Sequence, residues 1–111
     1  MNEKGVAVSE STFSIDTSTD YGKEVRKILW TDSMGIIDCW TAQDIALERA
    51  STAREAVRIM GDLVEQYGWS TVGGGGETMT VADGEECWIV EFYGRDLWVG
   101  VRIPSDHFTV A

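Results

Sequence analysis

From Ala53 onward the apolar residues Ala53, Ala56, Val57, Met60, Leu63, Val64 and Tyr67 recur at steps of three and four, so a helix gathers them into one stripe. Arg54, Glu55, Arg58, Asp62, Glu65 and Gln66 fall between them and read as a solvated face. Both ends of this helix are marked. Thr52 with Glu55 forms a capping box, the hydroxyl accepting from the third backbone N–H while the carboxylate returns to the N–H of the cap. Gly68, which takes positive φ freely, closes the helix.

Upstream the pattern is weaker. Val6, Val8 and the Ser/Thr-containing run to Phe13 predict a strand entered through Gly5, and the Ser, Thr and Asp residues from Asp16 to Gly22 predict a loop. Between Lys23 and Ile37, Val25, Ile28, Leu29 and Trp30 fit a helical face, but Gly35 and Thr31-Asp32-Ser33 interrupt it, and the segment has no clean period. A short helix holding Ile45, Leu47 and Ala50 is predicted from a Thr41 cap, with Asp44 at its third position suiting the positive end of the dipole.

Downstream the period changes to two. After a flexible run from Gly73 to Gly76, the segments Thr78 to Ala82, Cys87 to Tyr93 and Leu97 to Ile103 predict three consecutive strands. Asp83-Gly84 and Gly94-Arg95-Asp96 supply the turns between them. Trp88, Val90 and Phe92 share one face of the middle strand, while Cys87, Ile89 and Tyr93 on the other are apolar too. A strand apolar on both sides belongs to a sheet covered on both sides. The expected class is α+β, an antiparallel strand meander with one or two amphipathic helices.

Composition adds limits. A chain of 111 residues has room for one small domain, and a domain near that size buries roughly two-thirds of the surface of its unfolded chain. Nineteen acidic against nine basic residues give a net charge of −10, which opposes binding to nucleic acid or to an anionic membrane surface. No stretch is apolar for long enough to cross a bilayer, and Met1-Asn2-Glu3-Lys4 does not open a signal peptide, so a cytoplasmic location is expected. Cys39 and Cys87 are too far apart in sequence for a metal-ligand pair; free thiols are expected, with a disulfide left open.

Five segments carry a resemblance. Ala46-Leu47-Glu48-Arg49-Ala50-Ser51-Thr52-Ala53-Arg54-Glu55-Ala56-Val57 is followed by Leu63-Val64-Glu65-Gln66-Tyr67-Gly68 and by Ala82-Asp83-Gly84-Glu85-Glu86-Cys87-Trp88-Ile89-Val90-Glu91. Asn2-Glu3-Lys4-Gly5-Val6-Ala7-Val8-Ser9 precedes them, and Leu97-Trp98-Val99-Gly100-Val101-Arg102-Ile103-Pro104-Ser105-Asp106 follows. In order and rough spacing these resemble the middle of the dipeptidase A (secernin-like) cysteine dipeptidases, a branch of the N-terminal-nucleophile hydrolases.

The resemblance implies an αββα sandwich, two antiparallel sheets face to face with helices outside. It implies hydrolysis of dipeptides by a cysteine at the mature N-terminus, with no metal or other cofactor. That cysteine lies upstream of the Asn-Glu-x-Gly-Val segment, which here begins at residue 2. Residues 1–111 are therefore expected to be a single incomplete domain, an internal fragment inactive alone, whose dipeptide substrate belongs to the complete protein. By the same resemblance Asn2 and Thr12 stand on the substrate and oxyanion wall, where a fixed backbone donor stabilises developing negative charge. A further asparagine of the family falls beyond Pro104-Ser105-Asp106.

Other residues offer little chemistry. Cys39 lies beside Asp38 and Cys87 beside Glu86, and a neighbouring carboxylate raises a thiol's pKa, the opposite of what a nucleophile needs. His107, the one histidine, reads as an exposed loop residue. The Gly73 to Gly76 run lacks the lysine of a phosphate-binding loop, and Glu77 would repel a phosphate. Glu91 in an apolar strand is either substrate-facing or paired with an arginine such as Arg102. The rival reading is a stand-alone, non-catalytic acidic binding module on the same scaffold. Uncovered apolar faces predict a homo-oligomer or self-association.

Overall fold

In the computed structural model, which describes residues 1–30, 35–70 and 75–109, strand β1 (Ala7–Phe13) leads into helices α1 (Asp20–Leu29), α2 (Cys39–Arg49) and α3 (Ala53–Tyr67). Strands β2 (Gly76–Ala82), β3 (Cys87–Phe92) and β4 (Trp98–Arg102) follow. All four strands form one antiparallel sheet in the order β1-β2-β3-β4, so the three helices lie in sequence between two strands that are neighbours in space. The arrangement is α+β. Among the described residues no helix is long and apolar enough to cross a membrane.

The register shows which side of the sheet the helices cover. Met79 stands opposite Val90, Val81 opposite Trp88 and Phe92 opposite Trp98, which puts these residues on one face. Met79, Val81, Val90 and Phe92 are fully buried there against Ala53, Ala56, Val57, Met60 and Val64 of α3. Trp69 joins them, its ring stacked on Phe92 with centroids 4.7 Å apart. On the other face Ile89 and Glu91 are half-buried, and Val99 and Val101 are 45% and 55% exposed. Phe13, Trp30 and Tyr93 pack edge-on at one corner of that face.

Caps fix where α3 begins and ends. Thr52 accepts from the Glu55 N–H at 3.1 Å, as the capping box requires, while the Glu55 carboxylate reaches one residue further back than expected, to the Ser51 N–H at 2.8 Å. Gly68 ends the helix at φ +76°, a conformation that favours glycine. Asp83 ties the β2–β3 turn to this helix. One carboxylate oxygen accepts from the Glu85 and Glu86 N–H groups at 2.7 and 2.8 Å, and the other from the Ala53 N–H at 2.6 Å.

Several expectations need correction. The predicted loop from Asp16 to Gly22 holds only as far as Thr19, which caps α1 by accepting from the Gly22 N–H, and the helix runs from Asp20. Its period was obscured because only Val25 and Leu29 of its apolar residues are even half-buried, while Ile28 is exposed. Helix α2 begins at Cys39 because Asp38, a carboxylate one turn earlier than the expected Thr41 cap, accepts from the Thr41 N–H at 2.8 Å. Asp44 thus lies beyond the first turn. Gly76 opens β2 rather than ending a flexible run, and Tyr67 is 46% exposed instead of joining the core. Gly73 and Gly74 lie outside the described residues.

Two substitutions test this packing. A Cβ at Gly61 would stand 2.2 Å from the Trp98 ring, so Gly61→Ala forces the indole aside. Helix propensity favours alanine by about 1 kcal/mol, but overpacking costs about 1–3 kcal/mol, and a net loss of about 1 kcal/mol is expected. A raised urea midpoint at unchanged slope would show that Trp98 does not pack over Gly61. Hydrogen bonds from Ala53, Glu85 and Glu86 hold the Asp83 carboxyl below its ordinary value. A depressed carboxyl stabilises the fold above its unfolded pKa and loses that contribution as pH falls through the folded one. Asp83→Ala should therefore cost about 1 kcal/mol at neutral pH and progressively less in acid; a penalty independent of pH would contradict the assignment.

Candidate functional site

The Asn2 to Val6 turn is organised around one amide. Asn2 Nδ2 donates to the Leu47 and Ala50 carbonyls, both at 2.8 Å, and Oδ1 accepts from the Lys4 and Val6 N–H groups at 3.1 and 3.0 Å. Two carbonyls at the end of α2, which the helix itself leaves free, are satisfied in this way. The amide thereby fixes how the chain enters β1.

Thr12 stands at the far end of β1, a strand roughly 20 Å long. The structure does not bring Asn2 and Thr12 together. The Thr12 hydroxyl donates to Glu77 Oε1 at 2.9 Å across the β1–β2 pair. Glu10, two residues back on the same face of β1, and Cys39, the first residue of α2, complete a cluster with Glu77. One carboxylate oxygen from each glutamate and the Cys39 sulfur lie within 4.8 Å of one another.

Glu77 is the unusual member. It is 7% exposed, and its Oε2 accepts from no N–H or hydroxyl donor among the described residues. Burial pushes its carboxyl above the ordinary range, a hydrogen bond shared with Glu10 and then the Glu10 charge add to this, and the Thr12 hydroxyl works in the opposite direction. Burial, then the charges of Glu77 and Glu10, likewise push the Cys39 thiol up. In sequence Glu77 stands out only as a group that would repel phosphate. The available signal was parity: Glu77 shares the inward face of β2 with Met79 and Val81, where a carboxylate is out of place.

The remaining candidates are dispersed. Both cysteines are free thiols, and Cys87 lies half-buried on the opposite face of the sheet from the helices. The exposed His107 ring meets Asp106 at 2.7 Å, and the His107 N–H donates to the Pro104 carbonyl at 3.0 Å. Glu91 does not pair with Arg102. The register sets Glu91 opposite Val99 and Arg102 opposite Trp88, so their side chains leave the sheet on opposite faces. Glu91 accepts instead from the Tyr93 hydroxyl, two residues along its own face. Arg102 approaches Glu86 at 3.4 Å, where Arg54 also binds at 2.6 Å and lies over the Trp88 ring.

Comparison with known proteins gives these residues a context. The model of peptidase family C69 matches residues 1–111. A probable dipeptidase of Latilactobacillus sakei is 34% identical over 113 residues, covering 100% of this chain and 21% of its own length. A probable dipeptidase of Salmonella dublin is 30% identical over 69 residues, 62% of this chain and 15% of that protein. Probable dipeptidase B of Lactococcus lactis is 37% identical over 67 residues, 60% of this chain and 13% of that protein. The chain thus spans about a fifth or less of the length of these relatives. With the family's pattern running through every element from the Asn2 turn to β4, the chain belongs to peptidase family C69.

Proposed function

We propose that these 111 residues are the central scaffold of a cysteine dipeptidase of the N-terminal-nucleophile kind, whose nucleophile is carried by another part of the protein. The observation that carries this reading is the state of the two cysteines. Cys39 is buried with its thiol pushed up in pKa, and Cys87 is half-buried within a strand. Neither has a free α-amino group, the base that such a nucleophile requires.

In the complete enzyme the terminal cysteine's amine takes the thiol proton, and sulfur attacks the dipeptide carbonyl. The proton then passes to the leaving amine as the C–N bond breaks, and water hydrolyses the thioester. In this reading Thr12 stands on the oxyanion side at the end of β1, and Asn2 fixes the strand's entry. The protein acts in the cytoplasm on dipeptides, without nucleic acid or membrane partners. The chain alone should hydrolyse no member of a dipeptide panel at neutral pH. Hydrolysis abolished by Cys39→Ala or Cys87→Ala would overturn the reading.

The face of the sheet away from α3, apolar and partly exposed among the described residues, supports the reading of the chain as a scaffold within a larger protein. Ile89, Val99 and Val101 lie on the side away from α3, and an αββα sandwich covers that side with a second sheet. Exposed apolar strands promote association, against the net charge of −10 that favours solubility. The isolated chain is expected to self-associate or to bind a hydrophobic dye. A monodisperse monomer that unfolds cooperatively and binds no dye would favour the rival reading, a self-contained acidic binding module.

A further inference from the structure

The dipeptidase reading leaves the Glu10, Cys39 and Glu77 cluster without a task. Its centre is the buried carboxylate of Glu77: Oε1 accepts from Thr12, Oε2 accepts from no N–H or hydroxyl donor among the described residues, and one of the two oxygens lies within 4.8 Å of a Glu10 oxygen and the Cys39 sulfur. A buried carboxylate needs a counter-charge or a donor. Side-chain cations do not supply one: all nine Lys and Arg residues and His107 fall within the described residues, and their ion pairs within 4.0 Å involve neither Glu10 nor Glu77. The remaining occupants are a proton shared between the two glutamates and a metal cation.

For a cation, the donor set indicates the class. Calcium and magnesium take oxygen ligands, whereas a thiolate combined with carboxylates suits a borderline-soft ion. We propose that Glu10, Cys39 and Glu77 form a three-ligand site for a divalent cation of the zinc class, with water in the fourth position. Ligand atoms around a tetrahedral zinc lie roughly 3.5 Å apart. Here they lie within 4.8 Å, and exposed Glu10 can close that gap by a change of rotamer. Cys39 occupies the first turn of α2, where the helix dipole partly offsets the upward push of burial, Glu77 and Glu10 on its thiol, and a bound cation would supply the rest.

The three ligands come from β1, β2 and α2, so the cation would clip the edge strand and the helix to the sheet. The titratable groups facing it are Glu10 from β1, Glu77 from β2, and Cys39 with its neighbour Asp38 from α2. Binding displaces the Cys39 thiol proton and any proton held between the glutamates, so affinity rises with pH. This proposal does not depend on the dipeptidase reading, because its readouts do not involve hydrolysis.

The test uses the chain stripped with a chelator and titrated with cobalt(II), then zinc(II). The expected result is one cobalt per chain with thiolate-to-cobalt charge-transfer absorption, displaced by zinc, and a rise in the thermal midpoint with zinc. The absorption is lost in Cys39→Ser, and the zinc-induced rise is lost in Cys39→Ser and Glu77→Gln. Should either variant fail to fold by circular dichroism, Glu10→Gln at its exposed position decides, and loss of the zinc-induced rise is expected there too. Absence of the charge-transfer band, or a zinc effect equal in all variants, overturns the proposal. So does a metal-free chain that zinc leaves unchanged and Glu77→Gln stabilises above neutral pH, which assigns the cluster to a shared proton.

Discussion

Helix α3 lying across the centre of the sheet is the contact on which the other features depend. Its small and medium residues, Ala53, Ala56, Val57, Met60 and Val64, meet Met79, Val81, Val90 and Phe92 with no exposed member among them. Burying each Met, Val or Phe side chain contributes about 1.5–3 kcal/mol, more than a helix cap, so packing rather than capping decides the arrangement. Gly61 lets the Trp98 ring approach, which brings β4 under the same helix. Asp83 then links the β2–β3 turn to the helix's first N–H. Helix α2 packs against α3 and β1, and Asn2 joins the end of α2 to the start of β1.

One consequence is that the sheet is finished on one side only among the described residues. The helix-facing side holds the buried core, while the side carrying Ile89, Val99 and Val101 keeps apolar residues at the surface. A second consequence concerns the β1–β2 end. There Glu77 and Glu10 meet Cys39, the first residue of α2, in place of apolar side chains. Polar groups concentrated where the apolar layer stops are what a functional site or a bound ion requires.

The parts legible in the sequence were those whose signal is local and strong. Helix α3 was readable because stripe, cap and terminating glycine agree, and β2 to β4 because alternation and turn residues agree. Helix α1 was not, since few of its apolar residues face a core and its support comes from the Thr19 cap and exposed pairs such as Lys27 with Glu24. Such pairs add only about 0.2–0.5 kcal/mol and leave little periodic trace. The start of α2 was misplaced because Asp38 and Thr41 are both good caps and only the three-dimensional bond distinguishes them. The cluster at Glu77 was hidden for a different reason. Its members stand at positions 10, 39 and 77, and the register of β1 on β2 brings them together.

Native-state amide hydrogen exchange on the isolated chain tests most directly whether α3 on β2 and β3 is the stable centre. Amides of Met60 and Val64 in α3, and of Val81 and Val90 in the strands beneath, should exchange slowest and share one opening free energy, that of global unfolding. Amides of Val25 and Arg26 in exposed α1 should exchange through smaller, local openings. Protection in α1 equal to that in α3, or an opening free energy for α3 well below that of β2 and β3, would contradict this account.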